Sequence, residues 1–336
     1  MSVADPRKMS TTTKVFDDKD VTRFVVPVGS DLHSRSATKF GHAEISGYIN
    51  SFLHRCGFVH AGRSDFAEME SECLAISIAR EYVIPEDNSF RRFIPTGVAI
   101  AWNAYHHLPD KQTQKYIALL TSLFIYAEDM FKDNNDAILA FHGLFIRRQP
   151  QKHRMLDHLA NMLLDLPSHF PPTSAVNIMI SASLNFITAV GLENGSVVFS
   201  PPASASRYPA YARMMSGVSE VYAFFIFTPN IPLDVYLPAL PDMMTHICYA
   251  NDILSFYKEE LAGEEENLVY TLARCRGVHP SVALQEVIDD AVAAHRRVLE
   301  TLMPHKAAFD CYVQFAQGYT GFHIASKRYR LDELQG

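Results

Sequence analysis

From about residue 37 to residue 328, apolar side chains recur every three to four positions, and no run of Val, Ile and Thr alternates with polar residues between turn pairs. Helices satisfy that spacing and strands do not, so the chain reads as all-α. The pattern predicts helices near 37–55, 65–82, 92–106, 109–134, 136–164, 172–190, 205–227, 232–260, 264–275, 280–301 and 304–328. Prolines mark the expected breaks: Pro85, Pro95, Pro109, Pro150, Pro171-Pro172, Pro201-Pro202, Pro229 and Pro232. The stretch 136–164 is expected to be two pieces interrupted at Pro150. Long helices with short connections and no internal repeat point to one bundle rather than two domains. Residues 1–35 are polar and charged without a sustained period and read as a loose arm, leaving 36–336 as a single helical domain.

Hydrophobic residues make up 48% of the 336, enough for a sizeable core. The net charge is −7 and no long Lys/Arg run occurs, which argues against a nucleic-acid partner. Cys56, Cys73, Cys248, Cys275 and Cys311 are scattered and show no CxxC spacing, so neither a disulfide framework nor a zinc site is expected. Reduced, buried thiols and a cytoplasmic location fit better. The N-terminus has no apolar segment of the kind that opens a secretory signal. The longest aromatic-apolar run, Tyr222 to Phe227, is too short to span a bilayer, so no membrane span is expected. An acidic chain of this kind binds a polyanion only through metal ions or a local basic cluster.

The most informative segment is Asn251-Asp252-Ile253-Leu254-Ser255-Phe256-Tyr257-Lys258-Glu259. On a helix, residues 251, 255 and 259 drift by only about 40° per step, so an amide oxygen, a hydroxyl and a carboxylate line one face. All three are hard oxygen donors, suited to Mg²⁺ and not to zinc. Upstream, Glu128-Asp129-Met130-Phe131-Lys132-Asp133 falls in the expected helix 109–134. There Asp129 and Asp133 stand four apart on a shared face. Two such carboxylates repel unless a cation lies between them.

The string Asn251-Asp252-x-x-Ser255-x-x-Lys258-Glu259 resembles the second metal motif of class I terpene synthases, and NDILSFYKE resembles fungal trichodiene-synthase-like sesquiterpene cyclases in particular. The upstream segment is similar to the first, aspartate-rich motif of that family, with Glu128 in the place usually held by an aspartate. Asp129 is taken as its principal ligand and Glu128 as the second. Arg213-Met214-Met215-Ser216-Gly217 resembles the family's diphosphate-sensing arginine, linker and helix break, with Arg207 as a rival for the sensor. Arg328-Tyr329 resembles the Arg-Tyr pair that closes over the diphosphate. The resemblance implies a single-domain class I terpenoid synthase bundle around an apolar central cavity, and three Mg²⁺ held by Glu128, Asp129, Asp133, Asn251, Ser255 and Glu259. It further implies that Arg213, Lys258, Arg328 and Tyr329 bind the diphosphate, with Arg213, Ser216 and Gly217 serving catalysis. Farnesyl diphosphate is the implied substrate and a cyclic sesquiterpene, hydrocarbon or alcohol, the implied product of this lyase. A chain-elongating prenyltransferase and a non-catalytic helical descendant of a cyclase are the alternatives; the Asn/Ser/Glu form of the second motif argues against the former. Either a monomer or a homodimer is compatible with the sequence.

Alternating helices up and down brings both metal motifs, each late in its helix, to one end of the bundle. Arg213, early in an antiparallel helix, arrives there too. The same counting does not bring Arg328 there without a crosswise element. Below that mouth, Phe124, Tyr126, Phe131, Phe90, Tyr222, Phe225, Tyr249, Phe256 and Phe322 are candidates for a lining whose ring faces stabilise a carbocation.

Overall fold

The computed structural model describes residues 40–58, 62–63, 65–170, 173–195 and 201–334. The arm expected at 1–35 lies outside the described residues. No strand forms among the described residues, where a single β-bridge joins Ile84 and Asp87. The described helices are α1 (His42–Cys56), α2 (Ala67–Ala79), α3 (Ile94–Ala104), α4 (Lys111–Met130), α5 (Asn135–Ile146), α6 (Arg154–His169) and α7 (Thr173–Glu193). They continue with α8 (Tyr208–Ser216), α9 (Ser219–Phe224), α10 (Leu233–Tyr236), α11 (Leu240–Ala262), α12 (Leu268–Arg276), α13 (Pro280–Leu302) and α14 (Lys306–Ala325). The expected division near Pro150 is present between α5 and α6.

Two helices central to the site differ from their expected spans for local reasons. Helix α4 begins where the Asp110 carboxylate accepts from the N–H groups of Gln112 and Thr113 at 3.0 and 3.1 Å, a side-chain cap. It stops at Met130 instead of running to 134, because the Phe131 ring turns inward against His153 and Tyr126 and is almost fully buried. Lys132 and Asp133 then lie in a turn. The expected helix 205–227 is broken into α8 and α9. At the break Gly217 lies against Cys248, so that a Cβ there would overlap the thiol sulfur. Val218 follows in the left-handed region at φ 49°, a conformation that costs a β-branched residue about 1–3 kcal/mol.

Helix α11 is buried on most of its circumference, with Met243, Ile247, Ile253, Leu254 and Phe256 nearly inaccessible. It packs against α13, α9, α14, α1 and α8. Each large side chain buried this way contributes about 1.5–3 kcal/mol. Helix α3 is sandwiched between α4 and α14. The approach of α14 requires Gly318, since a Cβ there would overlap the backbone of Asn103. Helix α7 is long and apolar enough to cross a bilayer by length and composition, and over half of that stretch is buried in the bundle. It packs against α5, α6, α8 and α9 as a core helix does.

Candidate active site

A cavity of about 950 Å³ opens among α4, α7, α8, α11, α14 and the turn after α14. That volume is ample for a small-molecule ligand. Its wall carries Glu128 and Asp129 from the end of α4, and Asn251, Ser255, Lys258 and Glu259 from α11. Arg213, Ser216 and Gly217 come from the α8 break, and Arg328 and Tyr329 from the C-terminal turn. The turn at residues 327–329 is the crosswise element that helix counting lacked. Of the residues assigned to the two metal motifs, the arginine break and the Arg-Tyr pair, Asp133 alone is absent from the wall. The helix ends three residues before it, so the four-residue relation to Asp129 does not survive and its carboxylate is exposed. Arg207, the rival for the sensor, caps α8, is exposed, and does not line the cavity.

The basic and acidic groups are interlocked. Arg213 Nε donates to both carboxylate oxygens of Asp252 at 2.8 and 2.9 Å, and Nη2 donates to Asn251 Oδ1 at 3.2 Å. Burial opposes the charge on Arg213, but the Asp252 carboxylate beside it outweighs that and holds the guanidinium well above its ordinary value. Burial pushes the Asp252 carboxyl up while Arg213 pulls it down, and the paired, ionised state is the one this geometry serves. Lys258 Nζ lies 3.4 Å from Glu259 Oε1. Glu259 Oε2 accepts from Asn267 Nδ2 at 3.1 Å. Asn267 is also the cap of α12, its Oδ1 accepting from the Tyr270 N–H at 3.0 Å.

Glu128 is reachable from the cavity but ringed by protein. Burial raises its carboxyl, Asp129 pushes the same way, and Arg213, Arg328 and Lys258 oppose the rise. Glu193, at the end of α7, shares the wall and is raised by burial and by Glu128. Carboxylates crowded in this way are relieved by a cation between them. Among the described residues no three His, Cys, Asp or Glu side chains converge into a protein-only metal cage. The second donor set is instead amide, hydroxyl and carboxylate, the mixture that suits a hard divalent cation completing its shell with water and phosphate oxygens. The residues present therefore fit Mg²⁺, with Glu128 and Asp129 on one side and Asn251, Ser255 and Glu259 on the other.

One to two turns earlier on the same helices the lining is apolar, with Phe124 and Ile125 on α4, Phe186 and Val190 on α7 and Ile247 on α11, joined by Ile100, Val218, Tyr222 and Tyr319. Phe124 and Phe186 meet edge to face at 5.2 Å. Of the nine aromatic candidates read from the sequence, only Phe124 and Tyr222 reach the cavity. Tyr126, Phe131, Phe90, Phe225, Tyr249, Phe256 and Phe322 are instead packed in the core, where helix contacts claim their rings. Sequence reasoning missed Phe186, Tyr319, Glu193, Asn267 and His323. Only Asn267, preceding the apolar Leu268-Val269-Tyr270, carried a readable signal, that of a helix cap. His323 is fully buried; its imidazole is pushed down to about 4, chiefly by burial, and is therefore neutral.

This arrangement has relatives. The family profile for trichodiene synthase (TRI5) matches residues 89–336. The alpha-cuprenene synthase COP6 of Coprinopsis cinerea is 30% identical over 293 residues, covering 87% of this chain and 90% of that protein. Terpene synthase BipA of Cochliobolus sativus is 35% identical over 257 residues, covering 75% of this chain and 78% of its own. Among solved structures, linalool/nerolidol synthase from Streptomyces clavuligerus in complex with 2-fluorogeranyl diphosphate superposes with a TM-score of 0.60 at 14% identity. It covers 79% of this chain and 100% of that one, a likeness of fold alone. A profile match over most of the chain, relatives of similar length and a class I terpene synthase bundle all agree: the chain belongs to the trichodiene synthase family and is an enzyme of the terpene cyclase type.

Proposed function

We propose that this cyclase ionises farnesyl diphosphate with the help of Mg²⁺ and closes the resulting cation into a cyclic sesquiterpene, releasing diphosphate. The observation that carries the reading is the two-layered cavity. Oxygen donors from α4 and α11 and the basic side chains Arg213, Lys258 and Arg328 share one rim, above a floor of aliphatic and aromatic side chains.

Breaking the allylic C–O bond sends the electron pair out with the diphosphate, so the growing negative charge must be met at once. Arg213, Lys258 and Arg328 face that position, and the Tyr329 phenol offers a further hydrogen bond. Glu128, Asp129, Asn251, Ser255 and Glu259 are the residues that would hold divalent ions, three in number by family resemblance. Bound there, the ions supply Lewis-acid neutralisation of the leaving group. The acidic net charge is thereby reconciled with an anionic substrate. Among the described lining residues on the apolar turns of α4, α7 and α11 there is no carboxylate or ammonium to compete for the cation. The ring faces of Phe124, Phe186, Tyr222 and Tyr319 are the negative surfaces left to stabilise it. The packed aliphatic wall keeps water away until a proton is lost, giving a hydrocarbon, or a water is admitted, giving an alcohol. Ser216 and Gly217, at the break beside Arg213, link the diphosphate end of the site to this floor.

The test is incubation of purified protein with geranyl, farnesyl or geranylgeranyl diphosphate, with Mg²⁺ or with chelator. Volatiles are read by gas chromatography and diphosphate by release assay. Cyclic C15 products that require Mg²⁺ and no isopentenyl diphosphate are expected. Products only in the presence of isopentenyl diphosphate would identify a prenyltransferase. No release from any of the three would overturn the reading.

A further inference from the structure

The second donor set contains an amide, and an amide has two faces. Asn251 is a metal ligand only if its oxygen, not its NH₂ group, is turned toward the cation. A carboxylate in that place has no such requirement. The surroundings of Asn251 decide the matter. His323 Nδ1 faces the backbone carbonyl of Tyr319 at 2.8 Å. A carbonyl only accepts, so Nδ1 carries the proton and Nε2 of the neutral ring is an acceptor. Nε2 lies 3.0 Å from Asn251 Nδ2, which donates to it. On the opposite side, Asn251 Oδ1 accepts from Arg213 Nη2, a group that only donates. A flipped amide would set donor against donor at Arg213 and acceptor against acceptor at His323.

We infer that His323 is a positioning residue, which holds the Asn251 amide with its oxygen toward the cavity rim and so sets the affinity of the second site for Mg²⁺. The imidazole is itself fixed from both sides. It is fully buried, and stands between the rings of Tyr319 and Tyr329 at centroid distances of 4.6 and 4.5 Å. The contact spans α11 and α14, so the C-terminal segment carrying Arg328 and Tyr329 is coupled to the metal ligand through one hydrogen bond. This inference rests on Asn251 being a metal ligand, as proposed above.

The experiment compares Asn251 and Asn251→Asp backgrounds, each with His323, His323→Gln or His323→Phe. The readout is the Mg²⁺ concentration giving half of the thermal stabilisation seen with Mg²⁺ plus inorganic diphosphate, with no isoprenoid present. Outer ligands of this kind are worth about 10–100-fold in metal affinity, so His323→Phe should raise that concentration by about tenfold or more. His323→Gln, whose side-chain oxygen accepts in place of Nε2, should restore most of it. In the Asn251→Asp background the penalty of His323→Phe should largely vanish, because both carboxylate oxygens accept. Equal penalties in the two backgrounds, or none for His323→Phe in the first, would overturn the inference. Should His323→Phe fail to fold, a His323→Gln penalty that persists undiminished with Asn251→Asp would do the same. Asn251→Ala separates the two levels. If it leaves the Mg²⁺ dependence unchanged, the ligand assignment itself falls; if it weakens binding while His323→Phe does not, only the positioning role falls.

Discussion

Arg213 donates from Nε to both oxygens of Asp252, at 2.8 and 2.9 Å, across the gap between the α8 break and α11. The guanidinium that resembles a diphosphate sensor is therefore already engaged by a carboxylate of the second motif. Side-chain exposures are 17% and 12%, so neither charge is well solvated. Asp252 holds Nε and Asn251 accepts from Nη2, so a diphosphate taken up by this guanidinium bears directly on the placement of Asn251 next door.

That pairing gives the first prediction. Arg213→Met strands a mostly buried carboxylate, and removing one partner of such a pair costs about 3–5 kcal/mol. Urea denaturation should show a loss of that order. Adding Asp252→Leu should recover most of the stability and none of the diphosphate release. Restored turnover in the double variant would contradict the sensor role.

In the second motif, Asn251→Ala or Glu259→Ala should remove most metal-dependent turnover with an unchanged far-UV circular dichroism spectrum. Asn267 bears on Glu259 and on α12 at once, and the two roles separate chemically. Asn267→Asp keeps the cap acceptor but faces Glu259 with a like charge. It should leave Tm near the parent value while raising the Mg²⁺ requirement by about tenfold. Asn267→Ala should add a cap loss of about 1 kcal/mol.

In the first motif, α4 ends at Met130, which leaves Glu128 and Asp129 on its last turn and Asp133 beyond it. Asp129→Ala should nearly abolish activity, and Glu128→Asp should preserve or raise it. Asp133→Ala, whose exposed side chain does not line the cavity although its neighbour Lys132 does, should leave kcat and the Mg²⁺ dependence near the parent values. A fatal Asp133 variant would mean that the turn carries a ligand after all.

At the helix break, Gly217→Ala places a Cβ onto the Cys248 sulfur. Overpacking of this kind costs about 1–3 kcal/mol. Adding Cys248→Ala, which removes the sulfur, should return Tm toward the parent value.

The last prediction concerns pH and lies outside the cavity. The rings of His246 and His295 meet at 4.9 Å in the core, tilted by 35°, and burial pushes them down to about 3 and about 4. His246 Nδ1 contacts the Ala291 carbonyl and His295 Nδ1 contacts the Tyr312 hydroxyl, while His246 Nε2 has no hydrogen-bond partner among the described residues. The unfolded chain protonates these rings near the ordinary 6.5 while the folded chain does not. Their contribution is thus fully present above 6.5 and is lost as pH falls toward 4 and then 3. Each ring contributes a slope of up to about 1.4 kcal/mol per pH unit in that window. Urea unfolding across this range should show the fall, and His246→Phe should flatten it.

The helical class, the division at Pro150 and the two donor motifs were legible in the sequence because each depends on neighbours within about two helical turns. So was the oxygen character of Asn251, Ser255 and Glu259, since a side chain's donor chemistry is carried by its identity alone. Where a helix stops, and which way a ring points, are set by partners far along the chain. Phe131 ends α4 because His153 and Tyr126 receive it, and this removes Asp133 from the set that spacing alone had assembled. Seven of the nine expected lining aromatics were claimed by the core, while Phe186 and Tyr319 were brought in from α7 and α14. His323 offers the sharpest contrast. Nothing adjacent in sequence marks it, and its role exists only because α14 lays the ring against the amide of Asn251, 72 residues away.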